Sequence, residues 1–338
     1  MDICVCGAQV PFMSGGAEQA LDNLAAALEA AGHRAEVVRL PTAWDRGRLL
    51  ESAMAWRLVP LDVDLVVPVN FPAYFVRHPR KVVWLFHQHR AAYDLAGGVW
   101  SDFGDDEVSL ETQRLLARWD TVAIGEAERV FSISERVAER LARFNGLAAT
   151  PLYHPEPLHD RLHPGPFGDY LFCPSRLEGN KRPELLVDAA AHLEPGLEVR
   201  LAGRGTRLAE LTERVRAPEL AGRVHLLGFV PDDELVELYA GALAVVYTPY
   251  DEDYGYVTLQ AFRAGKPVIT TADAGGVLEW VEDGVNGFVT DGSPGAIADA
   301  AHRLAADPDL AARMGAAGRA RVAGLSWEAV VAALVGAG

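Results

Sequence analysis

Short apolar runs rich in β-branched residues recur along the 338-residue chain, separated by stretches with the 3.6-residue period of amphipathic helices. In the first half these runs are DICVCG (2–7), RAEVVRL (34–40), DLVVPV (64–69), KVVWLF (81–86) and ERVFSIS (128–134), with a helix predicted from about Ala17 to Ala31. In the second half they are YLFCPS (170–175), LEVRLAG (197–203), VHLLGFV (224–230), LAVVYTP (243–249), KPVITT (266–271) and GFVT (287–290). Near-continuous apolar strands alternating with helices predict parallel sheets covered on both faces. About forty residues separate the runs ending at 86 and starting at 128, with a helix predicted from about Asp105 to Val122. That is long for a connection and marks a functional insertion.

Between the two series lies PLYHPEPLHDRLHPGPFG (151–168), whose five prolines deny it helix or central strand. The expected organisation is a Rossmann-like domain over 1–155, a linker over 156–168, a second Rossmann-like domain over 169–325, and a terminal helix over 326–338 packing back towards the first domain. The fold class is α/β, with two doubly wound domains facing each other across a cleft. Ligands of such sheets bind beyond the carboxyl ends of the strands, so loops there are where chemistry is sought.

Composition narrows the field. Half of the residues are apolar and 23% are charged, as in a globular protein. A formal charge of −16 leaves no dense Lys/Arg field for a phosphate backbone, so no nucleic-acid partner is expected. The three cysteines, Cys4, Cys6 and Cys173, read as small core residues of strands in a reducing, cytoplasmic protein. No apolar run reaches the ~18 residues of a membrane span, and any membrane contact is expected to be weak and peripheral.

The richest stretch is DEDYGYVTLQAFRAGKPVIT (251–270). Three carboxylates, Asp251, Glu252 and Asp253, fall in the loop after an apolar strand, followed by Gly255 and a short helix. A glycine there lets a ligand approach the backbone, and the free N–H groups of a helix start favour an anion. Carboxylates alone would suit a helix N-terminus electrostatically; the adjacent glycine points further, to a ligand with hydroxyls and phosphates.

This run resembles the E-x-F-G-x-x-x-x-E motif and the A-x-A-x-G-x-P-V-I continuation of retaining GT4-type glycosyltransferases (glycosyltransferase group 1) of GT-B fold. Glu252 falls on the first motif Glu, Tyr254 on the aromatic, Gly255 on the Gly and Gln260 on the second Glu, which has lost its charge here. The resemblance implies that Glu252 and the backbone of Gly255, Tyr256 and Val257 hold the donor sugar, and that position 260 faces the ribose. SRLEGNKRPELLVDAA (175–190) is similar to the family's G-R-L-x-x-x-K-G element, which implies that Arg176 and Lys181 offset the charge of the leaving diphosphate without a metal. VHLLGFVPDDELVELYAGA (224–242) resembles the family's segment, which implies that the loop Gly228, Phe229, Val230 borders the base, with Asp232 capping the next helix, and ADAGGVLEWVEDGVNGFV (272–289) resembles a glycine-bearing run of the family that is assigned to folding. In the first half, Gly15 and Gly16 resemble the first βα loop, near diphosphate or acceptor. WLFHQHRAAYDL (84–95) places His87 first and His89 second at the cleft mouth, with Arg90 beside them as an acceptor contact.

The implied protein is a metal-independent hexosyl- or N-acetylhexosaminyltransferase, needing no cofactor beyond its nucleoside diphosphate sugar and an acceptor hydroxyl. Competing readings are a nucleotide-sugar epimerase of the same fold and a non-catalytic nucleotide-sugar binding protein. Other signals are assigned to structure: Asp62 and Asp64 of DVD lie at the amino end of a strand, and GRG (203–205) lacks the third glycine of a dinucleotide loop. The basic, aromatic run Tyr74 to Lys81 is read as a solvated strand entry.

Overall fold

A computed structural model of the chain describes residues 1–12 and 15–336. The chain divides into two units, residues 1–154 with 325–338 and residues 155–324, so it passes from one to the other twice.

In the first unit the elements run β1 (Asp2–Gln9), α1 (Gly16–Ala30), β2 (Arg34–Pro41), α2 (Leu49–Arg57), β3 (Leu65–Pro68), β4 (Val82–Leu85), α3 (Glu107–Gly125), β5 (Arg129–Ser132), α4 (Glu135–Asn145) and β6 (Thr150–Pro151). All pairings are parallel, in the orders β2-β1-β3 and β4-β5-β6, and bridges Val66 to Lys81 and Asn70 to His87 continue one set into the other. Every residue of β3 and β4 is buried, as the unbroken apolar runs require.

The second unit holds β7 (Tyr170–Pro174), α5 (Pro183–Ala189), β8 (Glu198–Ala202), α6 (Leu208–Arg214), β9 (Val224–Gly228), α7 (Asp232–Ala240), β10 (Ala244–Val246), α8 (Tyr256–Arg263), β11 (Val268–Thr271), β12 (Gly287–Thr290), α9 (Pro294–Ala306) and α10 (Pro308–Val322). Its six strands form one parallel sheet in the order β12-β11-β10-β7-β8-β9. The strand order reverses between β7 and β10, and the crevice outside the carboxyl ends at such a reversal is where doubly wound sheets bind ligands. A final helix, α11 (Trp327–Val335), returns to the first unit, where Trp327 meets Trp84 edge to face at 6.2 Å and Arg129 donates to the carbonyls of Ala333 and Leu334.

Of the proline-rich run, residues 151–154 fall in the first unit, and 156–168, expected as a linker, fall in the second and pack there. Lys266, with no exposed surface, donates to the carbonyls of Gly165 and Pro166 and lies 4.0 Å from the centre of the Phe167 ring. Arg263 grips the buried Glu156 at 2.8 Å. Prolines exclude regular structure but not packing, and the free carbonyls of Gly165 and Pro166 are met by Lys266.

The run Tyr74 to Lys81 is a solvated strand entry only in part: Arg77 and Arg80 are exposed, but its ends are not. Tyr74 and Phe75 are buried, and the Lys81 ammonium is enclosed, donating to the carbonyls of Tyr74, Val76 and Ala123 and to Glu126. Cys4, Cys6 and Cys173 are buried thiols. Asp64 is structural, accepting from the backbone N–H of Asp2. Among the described residues no helix is long and apolar enough to cross a membrane.

Candidate active site

The loops leaving β7 and β10 flank the reversal of the second sheet, and on them three side chains of different chemistry meet. The Lys181 ammonium pairs directly with the Glu252 carboxylate, and the Tyr247 hydroxyl donates to the same carboxylate oxygen at 2.8 Å. Lys181 also reaches the Tyr247 oxygen at 3.4 Å. The Lys181 and Glu252 side chains are 10% and 20% exposed, so neither is fully sealed from solvent. Burial opposes ionisation of Glu252, but the charge and hydrogen bond of Lys181, together with the Tyr247 hydroxyl, outweigh it and hold the carboxyl below its usual range. Tyr247 moves the other way: burial and the neighbouring Glu252 charge push its hydroxyl well above the ordinary value, so it stays a donor. Arg176, exposed on the same loop as Lys181, adds its charge to the field at Tyr247.

The backbone supporting this cluster is held by its neighbours. Gly255 caps α8 in the left-handed conformation at φ 84°, and a Cβ there would sit 2.8 Å from the Val277 side chain, so glycine meets both demands. Behind Glu252 runs the turn after β11. Its carbonyl at Ala274 accepts from the Glu252 N–H, while the Gly276 N–H donates back to the Glu252 carbonyl at 2.7 Å. Gly275, at φ 65°, lies so close that a Cβ would come within 2.7 Å of that carbonyl oxygen. Thus the glycines assigned to folding are the wall against which Glu252 is pressed. On the other side, Gly203 and Gly205 let the loop after β8 press on the carbonyls of Ser175 and Leu177, which fixes the base of the Arg176 loop.

Residues missed in the sequence include Tyr247, hidden inside a predicted apolar strand, and Arg182 with Asp273. Arg182 forms a two-pronged pair with Asp273 at 2.8 and 2.6 Å and donates to the carbonyls of Thr248 and Pro249. Its signal was adjacency to Lys181.

Other sequence candidates divide. Phe229 is 67% exposed on the turn after β9, with the Arg204 guanidinium 5.7 Å from its ring centre, while Val230 is buried and Gly228 adopts φ 68°. Tyr254 is buried, its ring edge to face with Tyr256 and Trp280, so it supports the loop from within. Val257 is half-buried in the first turn of α8. Gln260 is not held out for a ligand: it is buried, its oxygen accepts from the Tyr239 hydroxyl at 2.7 Å and its amide donates to the Pro157 carbonyl at 3.2 Å. Asp232 stands inside the first turn of α7 rather than capping it, because Pro231 takes the cap position.

In the first unit, Gly15 caps α1 and its N–H donates to the Glu18 carboxylate; Gly16 begins the helix, and Met13 and Ser14 lie outside the described residues. His87 follows β4, half-buried, with Nδ1 2.9 Å from the Gln88 carbonyl. His89 belongs to the core. It stacks on Trp44 at 5.7 Å, touches Phe71 and Phe103, and burial lowers its pKa to about 4. Arg90 is paired with Asp94, which also holds Arg140, so its charge is spent internally.

The family model described as glycosyl transferases group 1 matches residues 168–321, the span that contains both loops. D-inositol 3-phosphate glycosyltransferase of Thermobifida fusca is 35% identical over 178 residues, covering 48% of this chain and 40% of that protein. The protein of the same name from Streptomyces bingchenggensis is 29% identical over 238 residues, covering 62% and 52%. The chain thus spans about half the length of these curated relatives. Among solved structures, sucrose-phosphate synthase from Thermosynechococcus elongatus superposes with a TM-score of 0.79 at 20% identity, over 98% of this chain and 97% of that one. HepE of Anabaena, in complex with UDP and glucose, gives 0.70 at 19% identity, over 98% of both chains. At these identities the likeness speaks for the fold, which is that of GT-B glycosyltransferases built from α/β units with parallel sheets. Residues 168–321 are thus similar to the glycosyl transferases group 1 family.

Proposed function

We propose that the protein is a retaining, metal-independent glycosyltransferase that moves a hexosyl or N-acetylhexosaminyl group from a nucleoside diphosphate sugar to an acceptor hydroxyl. The observation that carries this reading is the meeting of Lys181, Glu252 and Tyr247 at the carboxyl ends of β7 and β10, with the exposed Arg176 beside them. A carboxylate that is ionised and still accessible accepts hydrogen bonds from sugar hydroxyls. Two cations on the neighbouring loop offset the charge that grows on a departing diphosphate. The exposed ring of Phe229 offers the base a stacking face. Of the first-unit candidates, His87 is given the acceptor, because His89 and Arg90 are engaged elsewhere.

In this mechanism the bond from the anomeric carbon to the phosphate oxygen breaks as the acceptor oxygen bonds to the same face of that carbon. The acceptor proton passes to a β-phosphate oxygen, so no enzymatic nucleophile is needed and the configuration is kept. The buried thiols suit the reducing cytoplasmic setting that goes with this proposal.

HepE was solved with UDP, and several relatives are named for D-inositol 3-phosphate. UDP-glucose, UDP-N-acetylglucosamine and GDP-mannose, with phosphorylated and plain polyols, are therefore the first pairs to assay for nucleoside diphosphate release. Activity with one pair, an anomer retained by NMR, insensitivity to EDTA, and a loss of at least ~100-fold in Arg176→Ala support the proposal. Failure of every pair, or near-normal turnover in Arg176→Ala and Lys181→Ala, refutes it.

A further inference from the structure

The Lys181–Glu252 pair joins two loops that leave different strands, and the next residue in the chain, Arg182, is built into the second of those loops as well. Arg182 stands in the left-handed region, φ 48° and ψ 48°, a conformation that costs a side-chain-bearing residue free energy. In that conformation the guanidinium reaches across to two further loops. Nε donates to the Thr248 carbonyl at 2.8 Å and Nη2 to the Pro249 carbonyl at 3.0 Å, four and three residues before Glu252. Nη2 also meets the Thr271 hydroxyl at 2.8 Å, and the fork closes on Asp273. Asp273 in turn accepts the Asp251 N–H through its backbone carbonyl, one residue before Glu252. The Thr248 hydroxyl completes the tie by donating to the Arg182 carbonyl at 3.3 Å.

We infer that Arg182 is a positioning residue for the transfer, fastening the loops after β7, β10 and β11 so that the Lys181 ammonium and the Glu252 carboxylate stand at working distance. The inference rests on the proposed function for its consequence in catalysis, but the geometry it asserts exists without substrate. A planar fork is required: five donor positions in fixed directions satisfy carbonyls, a hydroxyl and a carboxylate at once, which an ammonium cannot do.

The frame is read in the ligand-free protein through Glu252, whose carboxyl Lys181 holds low against the opposing effect of burial. The Glu252 carboxyl is titrated by carbon-detected NMR in the wild type, Arg182→Lys and Arg182→Gly. Lysine keeps the charge and loses the fork; glycine fits the left-handed backbone and loses both. If Arg182 positions the pair, both variants loosen it and the Glu252 midpoint rises by about one unit in each, a tenfold change in the ionisation equilibrium. Turnover then falls at least ~10-fold with a smaller change in donor KM, and added guanidinium ion restores part of it in Arg182→Gly. A Glu252 titration in Arg182→Lys that overlays the wild type overturns the inference, because charge alone then suffices. So does turnover that is unchanged while only the melting temperature drops. Should the wild type transfer nothing from any donor, the proposed function fails, and the Glu252 titration still decides the role of Arg182.

Discussion

Replacing Lys181 by Met removes a charge while keeping most of the side-chain volume, and the surroundings of Glu252 determine the cost. At an effective dielectric of about 20, unit charges roughly 4 Å apart attract by about 4 kcal/mol. Both side chains, however, retain some water contact, 10% and 20% of their surface, and both gave up hydration to pair. Net coupling is therefore about 1–3 kcal/mol. Lys181→Met strands Glu252 in a site where burial, no longer offset by the ammonium, raises its pKa, with the Tyr247 hydroxyl as its remaining support.

The pH dependence takes its sign from the two directions. In the wild type the folded carboxyl titrates below its unfolded value, so its contribution to stability is present above that unfolded value and is lost as pH falls through the folded one. In Lys181→Met the folded value is raised, so the carboxylate destabilises at neutral pH and the penalty is relieved by protonation on acidification. The difference in melting temperature between the two proteins is thus largest near neutrality, roughly 3–8 °C for a unit of this size, and shrinks towards pH 5. A double-mutant cycle isolates the pair. Glu252→Gln keeps an acceptor for Tyr247, and Lys181→Met with Glu252→Gln should recover most of what Lys181→Met alone loses. Additive losses in the double variant, or an equal deficit at pH 7.5 and pH 5, would show that the two residues do not act as a pair.

Gly275→Ala should strain the wall behind Glu252, because a Cβ would lie 2.7 Å from the Glu252 carbonyl oxygen at φ 65°. A stability loss of about 1–3 kcal/mol in urea titration, with raised donor KM, is expected; unchanged KM would mean that the wall does not set the loop. In the first unit, burial lifts the Asp120 pKa to about 7, against the opposing hydrogen bond of the Tyr93 hydroxyl. Because this folded value lies above the unfolded one, Asp120 contributes stability at acidic pH that is lost as pH rises through about 7. Asp120→Asn should flatten the decline of melting temperature between about pH 4 and pH 7, and an unaltered slope there would contradict the assignment.

The strands were legible because a strand buried on both faces is near-continuously apolar, as in LVVP of β3 and VVWL of β4. The loops after β7 and β10 were legible from the same strands, since the end of an apolar run marks the ligand side of a parallel sheet. What could not be read was which polar residue meets which. Lys266 and Lys81 look solvent-bound in sequence, yet each caps carbonyls contributed from distant or proline-broken segments. His87 and His89 are two residues apart and chemically identical; the rings of Trp44, Phe71 and Phe103, all distant in the chain, consign one of them to the core. Long-range partners leave no local pattern, so burial of a charged residue is invisible until the fold is known.

Two of the departures from the quoted motifs, Arg182 and Gln260, are explained by the same long-range partners. The K-G end of the first element calls for a residue in the left-handed region, and Arg182 occupies that region without glycine's freedom at a cost of order 1–2 kcal/mol. That cost is offset by the carbonyls, hydroxyl and carboxylate its guanidinium ties together. At position 260 the choice of residue is set by one donor and one acceptor. The Pro157 carbonyl faces the side-chain amide and the Tyr239 hydroxyl faces the side-chain oxygen. An ionised glutamate satisfies the tyrosine and sets a negative oxygen against the carbonyl, leaving both without a proton between them. Glutamine satisfies both, and in doing so it binds α8 to the segment by which the chain enters the second unit. A side chain so committed has little left for a ribose. If the donor is a nucleotide sugar, its ribose hydroxyls must find their partner elsewhere on the strand-end loops of this sheet, and Gln260→Glu should cost stability without tightening nucleotide binding.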